Sequence, residues 1–292
     1  MPRSATATAG TKHLTIPVSL TADQFERFVL PCLSMPKRGP KCKIGYHKLF
    51  NYVLKVLYTG MQWKELPIAL QDGVPEIHYT SVYKRFAVWS EDGSIARLFE
   101  VSVKELHDAG LLDVSVLNGD GTNTVAKKGG DGIGFSGYKH QTGEKIMSIV
   151  ERQGYVLAPC PVASVNVNDG ILLPDSLNEL MRISRDIGFS VNGSVMNLDG
   201  VFDSKRNRKL IFNRHMVPNI PENKRNRKKT KPGPKRFFDA AVHQLRLAVE
   251  RTFAWEDKFK RLLLRFERIQ SRHLSFKLIA YALINLRAFC QA

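Results

Sequence analysis

Three acidic residues stand where their chemistry could be used. Asp120 ends the alternating run Asp113-Val-Ser-Val-Leu-Asn-Gly-Asp, and Asp199 ends Ser194-Val-Met-Asn-Leu-Asp. Glu250 lies in HQLRLAVERTFAWEDKF, residues 243–259. Around it Phe238, Ala241, Val242, Leu245, Ala248, Val249 and Phe253 fall three and four apart, the buried stripe of an amphipathic helix. His243, Arg246 and Glu250 share the other face. Each acid has a plain structural reading. An i, i+4 Arg–Glu pair on a wet helix face contributes only a few tenths of a kcal/mol, and Asp often ends a strand by bonding the backbone two residues on. The chemical reading needs all three together. A hard cation such as Mg²⁺ takes carboxylate oxygens and keeps several waters, and two ions about 3.5–4 Å apart can clamp an in-line phosphoryl displacement. Two aspartates on rigid strands and a glutamate brought across by a packed helix are the parts of such a site.

The elements that must position these groups are legible in outline. Thr21 is placed to cap a short helix carrying Phe25, Phe28 and Val29. PKRGPKCKIG, residues 36–45, reads as a basic loop, and the following helix shows Leu49, Val53, Val56 and Leu57 before Gly60 ends it. A short helix covers Trp63–Leu66. Another opens on the hydroxyls of Thr80 and Ser81, with Val82, Phe86 and Trp89 inward, and a further helix spans 93–109. Short helices joined by tight turns, with Lys84 and Arg85 near the start of one, suit a helix-turn-helix reader of DNA; a plain helical bundle with a basic surface is the competing reading. From residue 111 the pattern becomes a strand, a hairpin turning at Arg152-Gln-Gly, a helix over 170–187, the strand 194–199, a basic stretch and long helices. That order predicts an α/β layer fold with a mixed sheet. The predicted organisation is a flexible arm over 1–20, a helical DNA-binding domain over 21–110 and a catalytic domain over 111–292. The apolar helix 274–290 reads as core.

Composition narrows the partner. The 292 residues include 44 Lys and Arg against 27 Asp and Glu, a net charge of +17, and 43% are hydrophobic. The chain can therefore bury a sizeable core, and its excess charge points to a polyanion, nucleic acid before membrane. Between Lys205 and Arg236 lie 13 Lys and Arg and one acid, Glu222. A charge run is usually solvated surface. This one lies between the second and third acids, so Lys224, Arg225, Arg227, Lys228 and Lys229 are expected to hold DNA backbone without reading bases. Cys32, Cys42, Cys160 and Cys290 form no C-x-x-C pair and no metal-ligand spacing with the histidines, so neither zinc nor a disulfide framework is expected. The absence of a long apolar run and of a signal-peptide core predicts a soluble, cytoplasmic, nucleoid-associated protein with no membrane partner.

The motifs then become specific. Asp120-Gly-Thr, Asp199-Gly-Val-Phe-Asp and Arg246-x-x-x-Glu250-Arg-Thr-Phe-Ala-Trp resemble the three acidic motifs of the DDE transposases of bacterial insertion sequences, above all the family named after insertion sequence five. KRGPKCKIGYHKLFNYVLKVLYTGMQWKELP and SVYKRFAVWSEDGSIARLF are similar to the DNA-binding module that precedes the catalytic domain there. The likeness runs from about residue 22 to 290 and includes GYKHQTGEKI and PENKRNRKK. It implies an α/β, RNase H-like mixed-sheet catalytic domain preceded by an all-α, helix-turn-helix-like domain. It also implies an endonuclease and strand-transfer activity that cuts element ends and joins their 3′-hydroxyls to target DNA by two-metal in-line phosphoryl transfer. Asp120, Asp199 and Glu250 would be the ligands of Mg²⁺, with Mn²⁺ as substitute, and Arg246 would orient Glu250 or contact DNA. The partners implied are double-stranded terminal inverted repeats, target DNA and a second copy of the chain in a homodimer. Related families show Tyr-(2)-Arg-(3)-Glu-(6)-Lys around the third acid; here His243 holds the Tyr position, and Lys258 lies one place beyond the Lys position, which Asp257 occupies. Asp169 is expected to cap a helix, Asp203 to cap a turn and Asp131 to lie in a loop. The rival readings are a non-catalytic DNA-binding regulator descended from an element and an RNase H-like structure-specific nuclease.

Overall fold

A computed structural model describes residues 14–36, 38, 42–159, 162–223 and 237–291. It opens with α1 (Ala22–Gln24), a single turn held by a capping box: the Thr21 hydroxyl accepts the Gln24 amide and the Gln24 side chain accepts the Thr21 amide. Turns carrying Phe25, Phe28 and Val29 inward lead on to α2 (Tyr46–Thr59). The inward stripe of α2 is Leu49, Phe50, Val53, Leu54, Val56 and Leu57, the i, i+3, i+4 pattern of a one-sided helix. Gly60 stops it in a left-handed conformation, φ 74°, where a β-carbon would also meet the Lys260 backbone at 3.1 Å.

The segment 21–110 is not wholly helical as expected. A two-stranded ribbon, β1 (Leu70–Gln71) against β2 (Val74–Pro75), precedes α3 (Tyr79–Glu91) and α4 (Ser94–Asp108). α3 also begins earlier than its hydroxyls suggest. His78 is the cap, its Nδ1 accepting the Thr80 amide at 3.4 Å, so Thr80 and Ser81 lie inside the first turn.

The second part is built on an eight-stranded mixed sheet, as the strand and helix order predicts. In chain order come β3 (Val116–Ala126), β4 (Gly134–Ser136), β5 (Gln141–Val150), β6 (Val156–Pro159), β7 (Ala163–Ser164), α5 (Asp169–Ile187), β8 (Val195–Asn197), α6 (Lys205–Phe212) and β9 (Val217–Asn219). They are followed by α7 (Ala240–Gln244), α8 (Leu247–Glu256), β10 (Leu264–Arg265) and α9 (Gln270–Leu286). The sheet runs β4-β5-β3-β8-β9, with β6 and β7 also on β5 and β10 also on β3. β3 and β5 are antiparallel, while β3, β8 and β9 are parallel neighbours.

The two parts share one core. α9 is buried nearly all round, and Phe276 on it stacks on Phe86 of α3 at 4.4 Å and lies 6.0 Å from the Trp63 ring. Burying such rings contributes roughly 1.5–3 kcal/mol each. Charge is buried there too, and it is paired. Lys277 of α9 meets Glu256 of α8, whose carboxylate also accepts the Tyr281 hydroxyl at 2.8 Å. Arg265, with no exposed surface, holds Glu144 at 2.5 Å and Asp131 at 2.8 Å, so the loop residue Asp131 is also a clamp. Such pairs keep one arrangement because a buried charge that loses its partner is heavily penalised. Among the described residues no helix is long and apolar enough to cross a membrane. Cys32, Cys42 and Cys290 are free thiols, and burial raises those of Cys32 and Cys290 to about 11.

Candidate functional site

The site begins with register. Parallel β3 and β8 pair Val116 with Val195, Leu117 with Met196 and Asn118 with Asn197. Two residues beyond that last pair come Asp120, still on β3 and by strand alternation on the face of Asn118, and Asp199, just past the end of β8. Asp120 does not end its strand as expected. β3 continues to Ala126 because β5 pairs with it along Asn118–Val125, so Asp120 sits mid-strand opposite Ser148. Asp199 does leave the sheet, capping the single turn Gly200–Phe202 through the Gly200 amide.

Beneath the two aspartates lies a ladder that the sequence reading did not single out. Asn118, Asn197 and Asn219 share one register on β3, β8 and β9, and all three are fully buried. The Asn197 amide nitrogen donates to Asn118 at 3.0 Å and to the Val242 carbonyl at 2.9 Å. Asn219 accepts the Asp239 backbone amide at 2.8 Å and donates to its carbonyl at 2.9 Å. The ladder therefore fixes the entrance and the body of α7 to the sheet. The repeated Asn-x-Asp of Asn118-Gly-Asp120 and Asn197-Leu-Asp199 is the sequence signal that could have found it.

α8, which follows α7, carries the third acid. The continuous amphipathic helix expected here is two helices, α7 and α8, joined by a tightened turn in which Leu245, Arg246, Ala248 and Val249 donate three residues back. Of the expected stripe only Ala248 and Val249 are fully buried, and Phe238 is exposed. The junction brings Arg246 over the sheet. Its guanidinium lies 3.1 Å from Asp120 and 3.3 Å from Glu250, so one cation bridges two of the three acids. The His243 ring, on α7, feels the charges of both Asp199 and Arg246. The His243 Nδ1 is 3.0 Å from the Asn197 side-chain oxygen; burial, then Arg246, lowers its proton affinity, and Asp199 opposes that shift.

The three acids differ in environment. Burial raises the Asp120 pKa; Arg246 and the Gly121 amide at 2.8 Å pull it back, and the charge of Asp169 adds to the rise. Glu250 and Asp199 are exposed, and 54% of the Glu250 side chain is open against 24% for Asp120. Asp169 was expected as a helix cap, but Asn168 takes that place by accepting the Gly170 amide at 2.9 Å. Asp169 is instead the first residue of α5 and pairs with Lys145 of β5 at 2.8 Å, beside the site. It packs so closely that a β-carbon at Gly121 would meet its Oδ1 at 2.8 Å.

The remaining candidates divide clearly. Asp203 is buried, held by Arg208 at 3.0 Å and accepting the Asn223 amide at 3.2 Å. Lys258 donates to the Ile16 carbonyl at 2.9 Å, and Asp257 lies with it past the end of α8. Lys84 is exposed on α3, while the Arg85 guanidinium stands 5.8 Å from the Tyr46 ring. Lys224, Arg225, Arg227, Lys228 and Lys229 lie outside the described residues. Among the described residues no three His, Cys, Asp or Glu side chains are arranged to hold a metal ion. The Asp120 and Glu250 carboxylates, one on a strand and one on a helix, meet round a single guanidinium, and hard oxygen donors of this kind suit a divalent cation.

Comparison with known proteins places the fold. It is similar to that of a piggyBac transposase in a synaptic complex with hairpin DNA, with a TM-score of 0.52 over 93% of this chain and 73% of that one, at 9% identity. The chain thus has a transposase-like α/β fold. No protein-family model and no curated protein matches its sequence.

Proposed function

We propose that the chain is a DNA transposase with an RNase H-like catalytic domain, cutting the ends of an insertion element and joining the freed 3′-hydroxyls to target DNA. The observation that carries this reading is the ion-pair bridge by which Arg246 of the α7–α8 junction reaches from Asp120 on β3 to Glu250 on α8, with Asp199 just past the end of the neighbouring parallel β8. Asp120, Asp199 and Glu250 would hold Mg²⁺, or Mn²⁺ in its place. Bound there, the metal supplies charge stabilisation at phosphorus and an activated oxygen nucleophile.

The chain's own groups do the positioning. The buried Asn ladder ties β3, β8 and α7 together and so positions the backbone that carries Asp120 and Asp199, while Glu250 stands on the exposed face of α8, paired with Arg246. Arg246 keeps Asp120 and Glu250 from repelling one another and is within side-chain reach of a phosphate presented to them. Lys84, Arg85 and the basic residues 224–229 supply phosphate contacts, and double-stranded terminal repeats and target DNA are the partners, engaged by a homodimer. Purified chain, DNA flanking its own gene, Mg²⁺ and a supercoiled target plasmid test the reading. Joined products bearing the flanking ends are expected. Cleavage without joining would instead identify a structure-specific nuclease, and binding without cleavage a DNA-binding regulator.

A further inference from the structure

An open cleft lies between the N-terminal helices and the start of α9, away from the acids. Its deeper part is a cavity of about 520 Å³ lined by Trp63, Tyr79, Tyr83, Phe266, Arg268 and Arg272, among others. A second space of about 710 Å³ shares Trp63, Tyr79 and Phe266 and extends to Lys64 and Lys128. Four aromatic rings beside several cations in one concave site match flat, electron-rich rings attached to phosphate.

The platform is rigid. Trp63 is stacked on the buried Phe276 at 6.0 Å and braced edge-on by Tyr83 at 5.4 Å. The Arg272 guanidinium lies over the Tyr83 ring at 5.0 Å and is anchored by Glu91 at 3.3 Å. A ring fixed before its ligand arrives loses little entropy on binding. Arg261 is neutralised at the back of the cavity by Glu267 at 2.5 Å, leaving Arg268 and Lys128 as exposed cations at its rim.

The cleft also adjoins the far end of the strand that carries Asp120. β10, just before Phe266, pairs with Val125 and Ala126 at the far end of β3. Ala126 is six residues beyond Asp120, about 20 Å of extended chain, which is the rise of about six base pairs. A strand laid along β3 with a phosphate at Asp120 would cover that length in about six nucleotides.

We propose that this aromatic cleft binds an unpaired nucleobase of the DNA, stacked against Trp63 and Tyr79, about six nucleotides from the phosphate held at Asp120. The inference rests on the reading of the chain as a DNA-processing enzyme. The rings of Tyr79 and Tyr83 come from the first turns of α3, so that helix presents aromatic faces to a base as well as Lys84 to backbone.

The test uses the full chain and three fluorescent probes of equal charge per strand: an oligothymidylate of about a dozen nucleotides, an abasic oligomer of the same length, and a duplex. Wild type is expected to bind oligothymidylate about tenfold tighter than the abasic oligomer, the scale of stacking one base on an aromatic ring. Trp63→Leu and Tyr79→Ala should each remove that advantage and leave duplex affinity unchanged. Tyr79 is half-buried at the start of α3 and away from the Phe276 stack, so its variant keeps the test valid should the Trp63 variant fail to fold. Equal affinity of wild type for the two oligomers would overturn the proposal, as would an advantage that survives in Tyr79→Ala. Thymidine monophosphate competing as well as the oligomer would assign the cleft to a free nucleotide and overturn it too. Binding to none of the three probes would refute the DNA reading itself, and the proposal with it.

Discussion

Arg246→Ala separates the two arms of the bridge. The Glu250 arm is an i, i+4 pair at 3.3 Å whose carboxylate is 54% exposed. Solvent screening and side-chain entropy hold such a pair to about 0.3–0.5 kcal/mol. The Asp120 arm, at 3.1 Å, joins side chains that are 16% and 24% exposed. Removing Arg246 leaves Asp120 partly buried, beside the like charge of Asp169, with the Gly121 amide as its recorded hydrogen-bond donor. An orphaned buried group costs about 1–3 kcal/mol and a fully buried broken ion pair about 3–5; the partial exposure here argues for about 2. Urea denaturation of Arg246→Ala, Asp120→Asn, Glu250→Gln and the two double variants gives the couplings directly. We expect about 1.5–2 kcal/mol between Arg246 and Asp120 and under about 0.5 between Arg246 and Glu250. Arg246 favours the charged form of Asp120, so its stabilisation is present above the titration of that carboxyl and fades as pH falls through it. In the same experiments Mg²⁺ should stabilise Arg246→Ala more than wild type, because it meets two carboxylates without a resident cation, and should leave Asp120→Asn unchanged. Equal couplings on both arms, or a pH-independent cost, would refute the reasoning.

Three further outcomes follow from the same geometry. Asp120→Ala, Asp199→Ala and Glu250→Ala should each abolish Mg²⁺-dependent cleavage while DNA binding persists; Asp169→Ala should retain cleavage but lose about 1–3 kcal/mol of stability, since Lys145 is left buried without its carboxylate. Asn197→Ala should cost about 1–2 kcal/mol in urea denaturation, because the buried Asn118 oxygen loses its donor while the Val242 carbonyl keeps the Leu245 amide; a cost below about 0.5 kcal/mol would show that the ladder does not hold α7. Neutralising Lys224, Arg225, Arg227, Lys228 and Lys229 together should weaken binding to every DNA sequence alike and reduce the slope of log affinity against log salt by about two to three units. A selective loss of repeat binding would show that this segment reads bases.

What the sequence determined by itself is what neighbouring residues decide among themselves. Thr21 and Gln24 satisfy each other's amides within one turn, Gly60 ends α2 because a side chain is disfavoured at positive φ, and the hairpin from β5 to β6 turns where Arg152-Gln-Gly stands. α9 is apolar enough to be recognised as core wherever it packs. Asp120, Asp199 and Glu250 stand out in the sequence as candidates, although each has a local structural reading of its own. Tertiary structure decided the rest, because it depends on which strand lies beside which. Pairing with β5 carries β3 past Asp120, and pairing with β8 brings Asn197, two residues before Asp199, beside Asn118. Three asparagines, unremarkable in their own segments, become a ladder only when β3, β8 and β9 are side by side. The break between α7 and α8 contradicts a continuous apolar stripe, and it follows from the hold of the ladder on Val242 and Asp239, which aims Arg246 at Asp120. Side-chain periodicity records which face of a segment is buried, and it carries no information about the partner that buries it.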